Sequence, residues 1–221
     1  VEKMLKIKLR SGKEIVLTLE HPLLTIKGWK PAEELRLGSR IATPRRTCFG
    51  NAEMPDDKIK LLAYLLAEGH TKKSWVLFSN SDQKILEEFT KSVNEFDPDL
   101  KVSLHSKNHC YRVANVNNRY SFKKNPLKEW LKSIDCYGYY AIEKKIPEEI
   151  IRLKKEYLAI FLNRLFSCDG SIYCKKVRKD EVFWQISYSS SSKVLAKQVH
   201  SLLYKFGILS KLRTKKIKQR L

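Results

Sequence analysis

Short runs of alternating apolar and polar residues fill the first part of the chain, and this period of two predicts β-strands. Residues 4–9 and 14–19 both alternate, and the Ser11-Gly12 pair between them is typical of a turn. From Pro55 onward the apolar residues recur at helical spacing, with strand-like runs between them. The pattern therefore predicts an all-β segment followed by a region of mixed helices and strands.

The mixed region contains the same order of elements twice. Its first half is predicted to form a helix from Asp56 or Asp57 to Glu68, a strand at 75–79, a helix capped by Ser81, a hairpin at 102–105 and 111–116, and a helix that starts at Asn125-Pro126. Its second half is predicted to form a helix over 154–168, strands at 171–174 and 182–188, a helix capped by Ser192, and a strand over 211–214. The repetition predicts an internal pseudo-dyad, with domains over 1–50 and 51–221 and repeats over about 55–140 and 150–221.

Positive charge dominates the composition. The 221 residues include 44 Lys and Arg against 24 Asp and Glu, a formal net charge of +20. Residues 101–133 contain eight basic residues and one acid, and residues 205–221 contain seven basic residues and no acid. Clusters of one sign favour a nucleic-acid partner, because each neutralised phosphate releases counterions. The alternative is a basic surface that only keeps the protein in solution.

The same composition excludes several classes of protein. No stretch approaches the roughly 18 apolar residues of a membrane span, and no secretory signal is recognisable. A hydrophobic fraction of 43% in a chain of this length supports a folded core rather than disorder. The five cysteines include no C-x-x-C pair and are interpreted as reduced residues of an intracellular protein, in the cytoplasm or nucleoid.

Two carboxylates follow the two most apolar helical segments. Residues 61–66 and 157–166 are apolar nearly all round, which indicates helices buried between other layers. Glu68 and Asp169, 101 residues apart, each precede a glycine near the end of such a helix. A carboxylate there faces the negative end of the helix dipole, and two such groups brought together by a pseudo-dyad favour a divalent metal such as Mg²⁺. The alternative is that both are solvated C-terminal residues of ordinary core helices.

Several segments carry a resemblance to a known family. LLAYLLAEG at 61–69 and LNRLFSCDG at 162–170 resemble the two LAGLIDADG motifs of single-chain homing endonucleases. EKKIP at 143–147 resembles the block between the repeats, and residues 192–212 resemble the block after the second motif. Thr18-Leu-Glu-His21 and the run after it are similar to the Hint splicing domain of inteins. The nearest family is the endonuclease-bearing inteins of bacterial replicative DNA helicases.

The resemblance implies an α+β fold, in which two αββαββα repeats with saddle-like antiparallel sheets follow a partial Hint segment. It implies that Glu68 and Asp169 are catalytic and bind Mg²⁺, for which Mn²⁺ can substitute, together with Gly69 and Gly170. Lys144 is implied as the lysine that stabilises the transition state or polarises the attacking water, with Lys145 as the less favoured choice. Lys193 or Lys211 is a weaker candidate for a second catalytic lysine.

The function implied by the resemblance is site-specific cleavage of double-stranded DNA at the intein-free allele of the host gene, by a monomer with no membrane partner. Strand side chains would read base edges in the major groove. The candidate DNA-binding residues are Arg112, Asn115, Lys123, Lys124, Lys175, Lys176, Arg178, Gln185, Ser187, Lys193, Lys211 and Arg213. The alternatives are a catalytically silent DNA-binding regulator and an RNA maturase.

Protein splicing is a third function that the resemblance suggests. Inteins splice through a Cys or Ser at their first residue and a terminal Asn preceded by His, whereas this sequence starts at Val1 and ends at Leu221. Thr18 and His21 are therefore expected to be a remnant of the splicing block, and the chain as given is expected not to splice.

Overall fold

The fold is mixed α+β, as the sequence predicts. A computed structural model describes residues 3–72, 74–116, 124–178 and 181–215, except for the side chains of residues 175–178 and 181. Within these ranges six α-helices accompany small sheets whose named strands all pair antiparallel. No helix of the described part of the chain is long and apolar enough to cross a membrane.

The elements follow one another in an order close to the predicted one. The helices are α1 Asp56–Glu68, α2 Gln83–Phe96, α3 Pro126–Ser133, α4 Glu148–Ile151, α5 Lys155–Asp169 and α6 Lys193–Lys205. The strands are β1 Met4–Lys8, β2 Glu14–Thr18, β3 Pro22–Thr25, β4 Gly28–Pro31, β5 Gly69–His70, β6 Val76–Ser79, β7 Leu100–Ser106, β8 Cys110–Asn115, β9 Gly170–Arg178 and β10 Glu181–Tyr188. Short 3₁₀ turns lie at Ala32–Glu34 and Ala141–Glu143.

The chain divides into two compact units. One consists of Val1–Cys48 with His200–Leu221, and the other of Phe49–Val199. The first contains the two hairpins β1–β2 and β3–β4. Within it the Leu212 N–H donates to the Ser11 carbonyl oxygen at 2.8 Å, which joins the segment after α6 to the first turn.

The core of the Phe49–Val199 unit is built on α1 and α5. Six successive residues of α1, 61–66, are buried, and α5 packs against this helix. Glu88 on α2 ties the helices together: its carboxylate accepts from the Tyr64 hydroxyl at 2.7 Å and pairs with Lys60 of α1 at 3.3 Å and Arg164 of α5 at 3.0 Å. The helices that carry the two candidate acids are therefore linked by a shared ion-pair network as well as by apolar packing.

A four-stranded sheet in the order β5-β6-β8-β7 lies in the same unit. Val76 is paired with Val113 in the register and both are buried, so this face of the sheet packs on the core. The next pair, Leu77 and Arg112, lies on the opposite face because side chains alternate along a strand. The hairpin β9–β10 is a two-stranded sheet, and its Ile172 and Ile186 stay 65% and 68% exposed.

Two of the predicted helix caps are confirmed. The Asn125 side chain accepts from the Lys128 N–H at 3.0 Å, with Pro126 in the first turn. The Ser192 hydroxyl accepts from the Leu195 N–H at 3.1 Å. Both residues supply an oxygen to an N–H group that has no partner within its helix.

Other local predictions were wrong. Helix α2 is capped by Asp82 rather than Ser81, because the Asp82 carboxylate accepts from both Lys84 N–H, at 2.8 Å, and Ile85 N–H, at 3.3 Å. Helix α1 starts after Pro55 with no side-chain cap, although Asp56 and Asp57 lie in its first turn. The predicted strand over 211–214 has no regular structure.

Candidate active site

Glu68 and Asp169 end the two helices that pack against each other. Glu68 is the last residue of α1 and Asp169 the last of α5. Each helix gives way to an extended glycine, Gly69 at φ −78° or Gly170 at φ −85°, which begins strand β5 or β9. The two carboxylates are near enough for the charge of Asp169 to act on the pKa of Glu68.

Both glycines are required by the close approach of the chain to the helix it has just left. A Cβ on Gly69 would lie 2.4 Å from the Leu65 carbonyl oxygen, and a Cβ on Gly170 would lie 2.3 Å from the Phe166 carbonyl oxygen. Contacts that short with backbone atoms would force the helix end to shift. Backbone geometry therefore demands a glycine directly after each of the two candidate acids.

Both candidate acids have raised pKa values. Burial is the main cause for each of them. The hydrogen bond from Asn80 and the ammonium of Lys144 lower the pKa of Glu68, while the charge of Asp169 raises it. Lys144 also lowers the pKa of Asp169. Two partly desolvated carboxylates that repel each other favour a cation or a proton beside them.

Lys144 places a buried ammonium at the end of α1. Its Nζ lies 3.1, 2.9, 3.3 and 2.8 Å from the carbonyl oxygens of Leu65, Leu66, Ala67 and Gly69. The carbonyls of Leu65, Leu66 and Ala67 belong to the last turn of α1, at the negative end of the helix dipole, and that of Leu65 also accepts from the Gly69 N–H. Lys144 is 8% exposed, and burial lowers its pKa to about 8 although Asp169 and Glu68 act to raise it.

The backbone of Lys144 is also held in place. Its carbonyl oxygen accepts from the Ser192 hydroxyl at 2.6 Å, and the same hydroxyl caps α6. Lys145, the less favoured candidate, instead forms an exposed ion pair with Asp135. Of the two lysines, only Lys144 therefore reaches the end of α1, where it donates to carbonyl groups and exerts its charge on both acids.

Sequence reasoning missed Asn80. Its side-chain amide donates to the carboxylate of Glu68, and its Oδ1 accepts from the Asp82 N–H at 2.7 Å, so the loop between β6 and α2 orients the acid. The available signal was an amide residue directly after a strand, in an Asn-Ser-Asp sequence typical of a turn. No corresponding amide is seen on Asp169 among the described side chains, so the two acids differ in their surroundings.

Tyr188, at the end of β10, is a second residue near the site that sequence reasoning missed. Its hydroxyl is buried, and its pKa is raised first by burial and then by the charge of Asp169. Its ring lies 5.2 Å from that of Phe166, centroid to centroid. Tyr188 therefore lies near Asp169, whereas the Glu68 carboxylate accepts from an amide.

The donor set at the helix ends fits Mg²⁺ only if other oxygens complete its coordination. Within the described residues no group of three or more His, Cys, Asp or Glu side chains is arranged to hold a metal. The carbonyl of Gly69, a predicted ligand, already accepts from Lys144. Mg²⁺ commonly uses one or two carboxylates and takes its other ligands from water and substrate phosphates. Glu68 and Asp169 match that pattern.

The predicted DNA-binding residues of β8 lie on opposite faces of the sheet. Arg112 lies on the face away from the core, with its Cζ 3.1 Å from the centroid of the Trp75 ring. Asn115 lies on the face of Val113 and is 9% exposed. Because three positions separate them along a strand, they cannot share a face. The placement of Asn115 does not fit the predicted contact with DNA.

The remaining predicted DNA-binding residues of this unit are distributed more widely. Gln185 and Ser187 share a face of β10, where the Ser187 hydroxyl lies 2.7 Å from that of Ser171. Lys124 and Lys193 are exposed beside the starts of α3 and α6. Lys123 and the side chains of Lys175, Lys176 and Arg178 lie outside the described part of the chain.

Four predicted residues belong to the unit formed by Val1–Cys48 and His200–Leu221. Lys211 and Arg213 are exposed and lie outside regular structure. Thr18 ends β2, and the exposed His21 donates its backbone N–H to the Thr18 carbonyl at 3.4 Å.

Comparison with known proteins identifies the class of one part of the chain. Residues 156–220 match the model of the LAGLIDADG-like domain. The match begins at the second residue of α5 and includes the hairpin β9–β10 and α6. It therefore contains Asp169 and Gly170. Residues 156–220 are thus similar to the LAGLIDADG-like domain.

Similar stretches occur within several larger proteins. The chain is 32% identical over 215 residues to the replicative DNA helicase DnaB of Synechocystis sp., an alignment that includes 93% of this chain and 24% of the helicase. It is 30% identical over 220 residues to the replication factor C small subunit of Methanocaldococcus jannaschii, with 96% and 11% covered. It is 28% identical over 215 residues to RecA of Mycobacterium tuberculosis, with 94% and 26% covered. The chain therefore spans about a quarter or less of these relatives.

Replacement of Asp169 by Asn is expected to lower the pKa of Lys144 below its present value of about 8. The carboxylate favours the protonated ammonium, so its removal leaves burial less opposed. The ¹³Cε chemical shift of Lys144, followed against pH, measures the change. Glu87→Gln, an exposed substitution on α2, serves as the control. An unchanged or higher pKa in Asp169→Asn would show that the two charges do not interact.

Proposed function

We propose that this protein is a Mg²⁺-dependent endonuclease that cuts both strands of a specific DNA duplex as a monomer, and that it is the endonuclease of an intein. The pairing of Glu68 with Asp169 at the ends of two packed helices carries the proposal. Their raised pKa values fit a site at which a cation relieves repulsion. The net charge of +20 supports DNA as the partner, in the cytoplasm or nucleoid.

The relatives support the intein part of the proposal. A helicase, a replication factor subunit and RecA carry different names, yet each is similar to this chain over 215 to 220 residues. The matched part is 24%, 11% and 26% of these proteins. Similar stretches that make up only a small part of otherwise differently named proteins are the pattern expected of a self-contained insertion.

The proposal includes two pseudo-symmetric repeats after a partial Hint segment over residues 1–50. The element order α1-β5-β6-α2-β7-β8-α3 matches one αββαββα repeat, and α5-β9-β10-α6 matches the first four elements of another. Thr18 and His21 are assigned to the Hint segment. Base reading is assigned to strand residues on open faces, such as Gln185, and phosphate contacts to the basic residues.

In the proposed reaction a water oxygen forms a bond to phosphorus while the bond from phosphorus to the 3′ oxygen breaks. The attacking water loses a proton to solvent, and the leaving oxygen gains one, which gives a 5′-phosphate and a 3′-hydroxyl. Glu68 and Asp169 would hold Mg²⁺, which supplies positive charge to the reacting oxygens. Asn80 orients the carboxylate of Glu68. Lys144 fixes the end of α1 and adds a positive charge near both acids.

Cleavage of DNA by site variants tests the proposal. A library of random duplexes in millimolar Mg²⁺ supplies the cleaved sequence, and that duplex is then the substrate. Glu68→Gln and Asp169→Asn are each expected to reduce cleavage by about 10²–10³-fold, because loss of an aligned charged group at a reacting centre costs that much. Their affinity for the duplex in Ca²⁺ is expected to stay within about threefold of the parent.

Glu87→Gln is the matched control, since it removes an exposed acid on α2, and it is expected to cut like the parent. Equal cleavage by all four proteins would contradict the assigned acids. A parent that binds duplexes but cuts none would favour the silent DNA-binding regulator, and selective binding of structured RNA would favour the maturase.

A further inference from the structure

A basic groove lies at one end of the four-stranded sheet, and neither Glu68 nor Asp169 is among the residues that line it. Its volume is about 350 Å³, and it forms where β6 begins, β8 ends and α3 begins. Trp75 and Arg112 line the sheet side, and Lys124, Asn125 and Lys128 line the helix side. A groove of this size accommodates a group as large as a nucleotide.

The guanidinium of Arg112 lines one wall of the groove and has a hydrogen-bond donor without an acceptor among the described residues. Its guanidinium stacks on the Trp75 ring, with 3.1 Å between Cζ and the ring centroid, which fixes the orientation of the planar group. Its Nε is buried and has no hydrogen-bond acceptor among the described residues. Burial also lowers the pKa of Arg112 from its ordinary value. A buried donor without an acceptor is costly, so an acceptor from a ligand would stabilise this arrangement.

The helix side adds further positive charge. Lys124 and Lys128 make no ion pair within 4.0 Å among the described side chains. Glu129, the acid of the lining, is paired with Lys132 at 2.8 Å. Asn125 caps the N-terminus of α3, whose dipole places partial positive charge at the same end. The groove therefore combines a guanidinium, two ammonium groups and a helix N-terminus.

We propose that this groove binds a phosphate group of the nucleic-acid backbone. The inference rests on the proposed function, because it takes DNA as the source of the phosphate. A phosphate supplies several acceptor oxygens to a guanidinium fork and to ammonium groups. Such a contact positions a duplex on the protein without reading its sequence. The groove thus serves as an anchor for DNA flanking the bases that are read.

The test uses the double variant Lys124→Gln with Lys128→Gln. Its affinity for the cleaved duplex, measured by fluorescence anisotropy at 0.05–0.3 M salt, is expected to be about tenfold lower than that of the parent. The slope of log K against log[salt] is expected to fall by about 0.9, because the groove holds one phosphate and each lost phosphate contact contributes about that much. The effect is expected on unrelated duplexes as well, since a backbone contact carries no sequence information.

Lys84→Gln with Lys91→Gln is the matched control, since it removes two exposed lysines of α2 that lie outside the groove. Its affinity and salt slope are expected to match the parent. Circular dichroism and thermal melting establish that both double variants fold. If the groove variant shows the same affinity and salt slope as the control, the DNA assignment is overturned.

Inorganic phosphate distinguishes the source of the ligand. It is expected to change Trp75 fluorescence in the parent, and the change is expected to be absent in Trp75→Phe and weaker in the groove variant. A fluorescence response without any loss of duplex affinity in the groove variant would mean that a free phosphate compound occupies the groove, and it would overturn DNA as the source. Failure of the endonuclease proposal would give a different result. The groove variant would still bind DNA more weakly and with a lower salt slope than the parent, but the parent would cut no DNA.

Discussion

Replacement of Lys144 by Met is expected to lower the free energy of unfolding by about 4 kcal/mol. The ammonium lies within 3.3 Å of four carbonyl oxygens at the end of α1, and Met offers no donor to them. Buried carbonyls that lose their donor keep the cost of desolvation without the compensating hydrogen bond. Urea unfolding followed by circular dichroism measures the change.

Lys145→Met is the matched control, because the neighbouring residue loses the same charge from an exposed pair with Asp135. Its free energy of unfolding is expected to change by less than about 1 kcal/mol. If the two substitutions have equal effects, the ammonium of Lys144 does not stabilise the end of α1. The Lys144 variant is also expected to have a higher pKa at Glu68, since Lys144 lowers that pKa in the parent.

Alanine at Gly69 or Gly170 is expected to lower the free energy of unfolding by about 3 kcal/mol in each case. The new Cβ would approach a helix carbonyl oxygen to 2.4 Å at Gly69 and 2.3 Å at Gly170, so the backbone of α1 or α5 must shift. At Gly69 the shift also disturbs Leu65 and Gly69 carbonyl oxygens that accept from Lys144. Urea midpoints of the two variants measure the effect.

Ser167→Ala, an exposed substitution in the last turn of α5, is the control and is expected to change the free energy of unfolding by less than about 0.5 kcal/mol. Wild-type stability in either glycine variant would mean that the chain can leave the helix by another path. Because Glu68 and Asp169 directly precede these glycines, a shifted helix end is also expected to displace a carboxylate and reduce cleavage.

Local sequence patterns predicted much of the helical structure. The apolar run at 61–66 is buried throughout, since a helix without a polar face is stable only between other layers. Asn125 and Ser192 were recognised as caps because the chemistry of a cap involves neighbours within three residues. Where two candidate caps adjoin, as at Ser81 and Asp82, the pattern alone did not decide between them.

Predictions that depended on distant partners succeeded less well. A strand at 211–214 requires a neighbouring strand along its length, whereas among the described residues this segment forms one backbone hydrogen bond to the first turn, from Leu212 N–H to the Ser11 carbonyl oxygen. The face of Asn115 depends on the register of β8 with β6 and β7, which residue types do not specify. The contact of Asn80 with Glu68 depends on a loop after β6 that folds back toward the end of α1.

By itself the sequence determined that α1 and α5 are buried and where they end. It also determined that each of these two helices ends at an acid followed by a glycine. These properties follow from hydrophobic spacing and backbone restrictions within a few residues. Only the tertiary structure decided that Lys144 donates to carbonyls 75 to 79 residues away, that Asn80 orients Glu68, and that Arg112 stacks on Trp75. Such contacts arise because packing brings remote segments together, and no short-range periodicity encodes them.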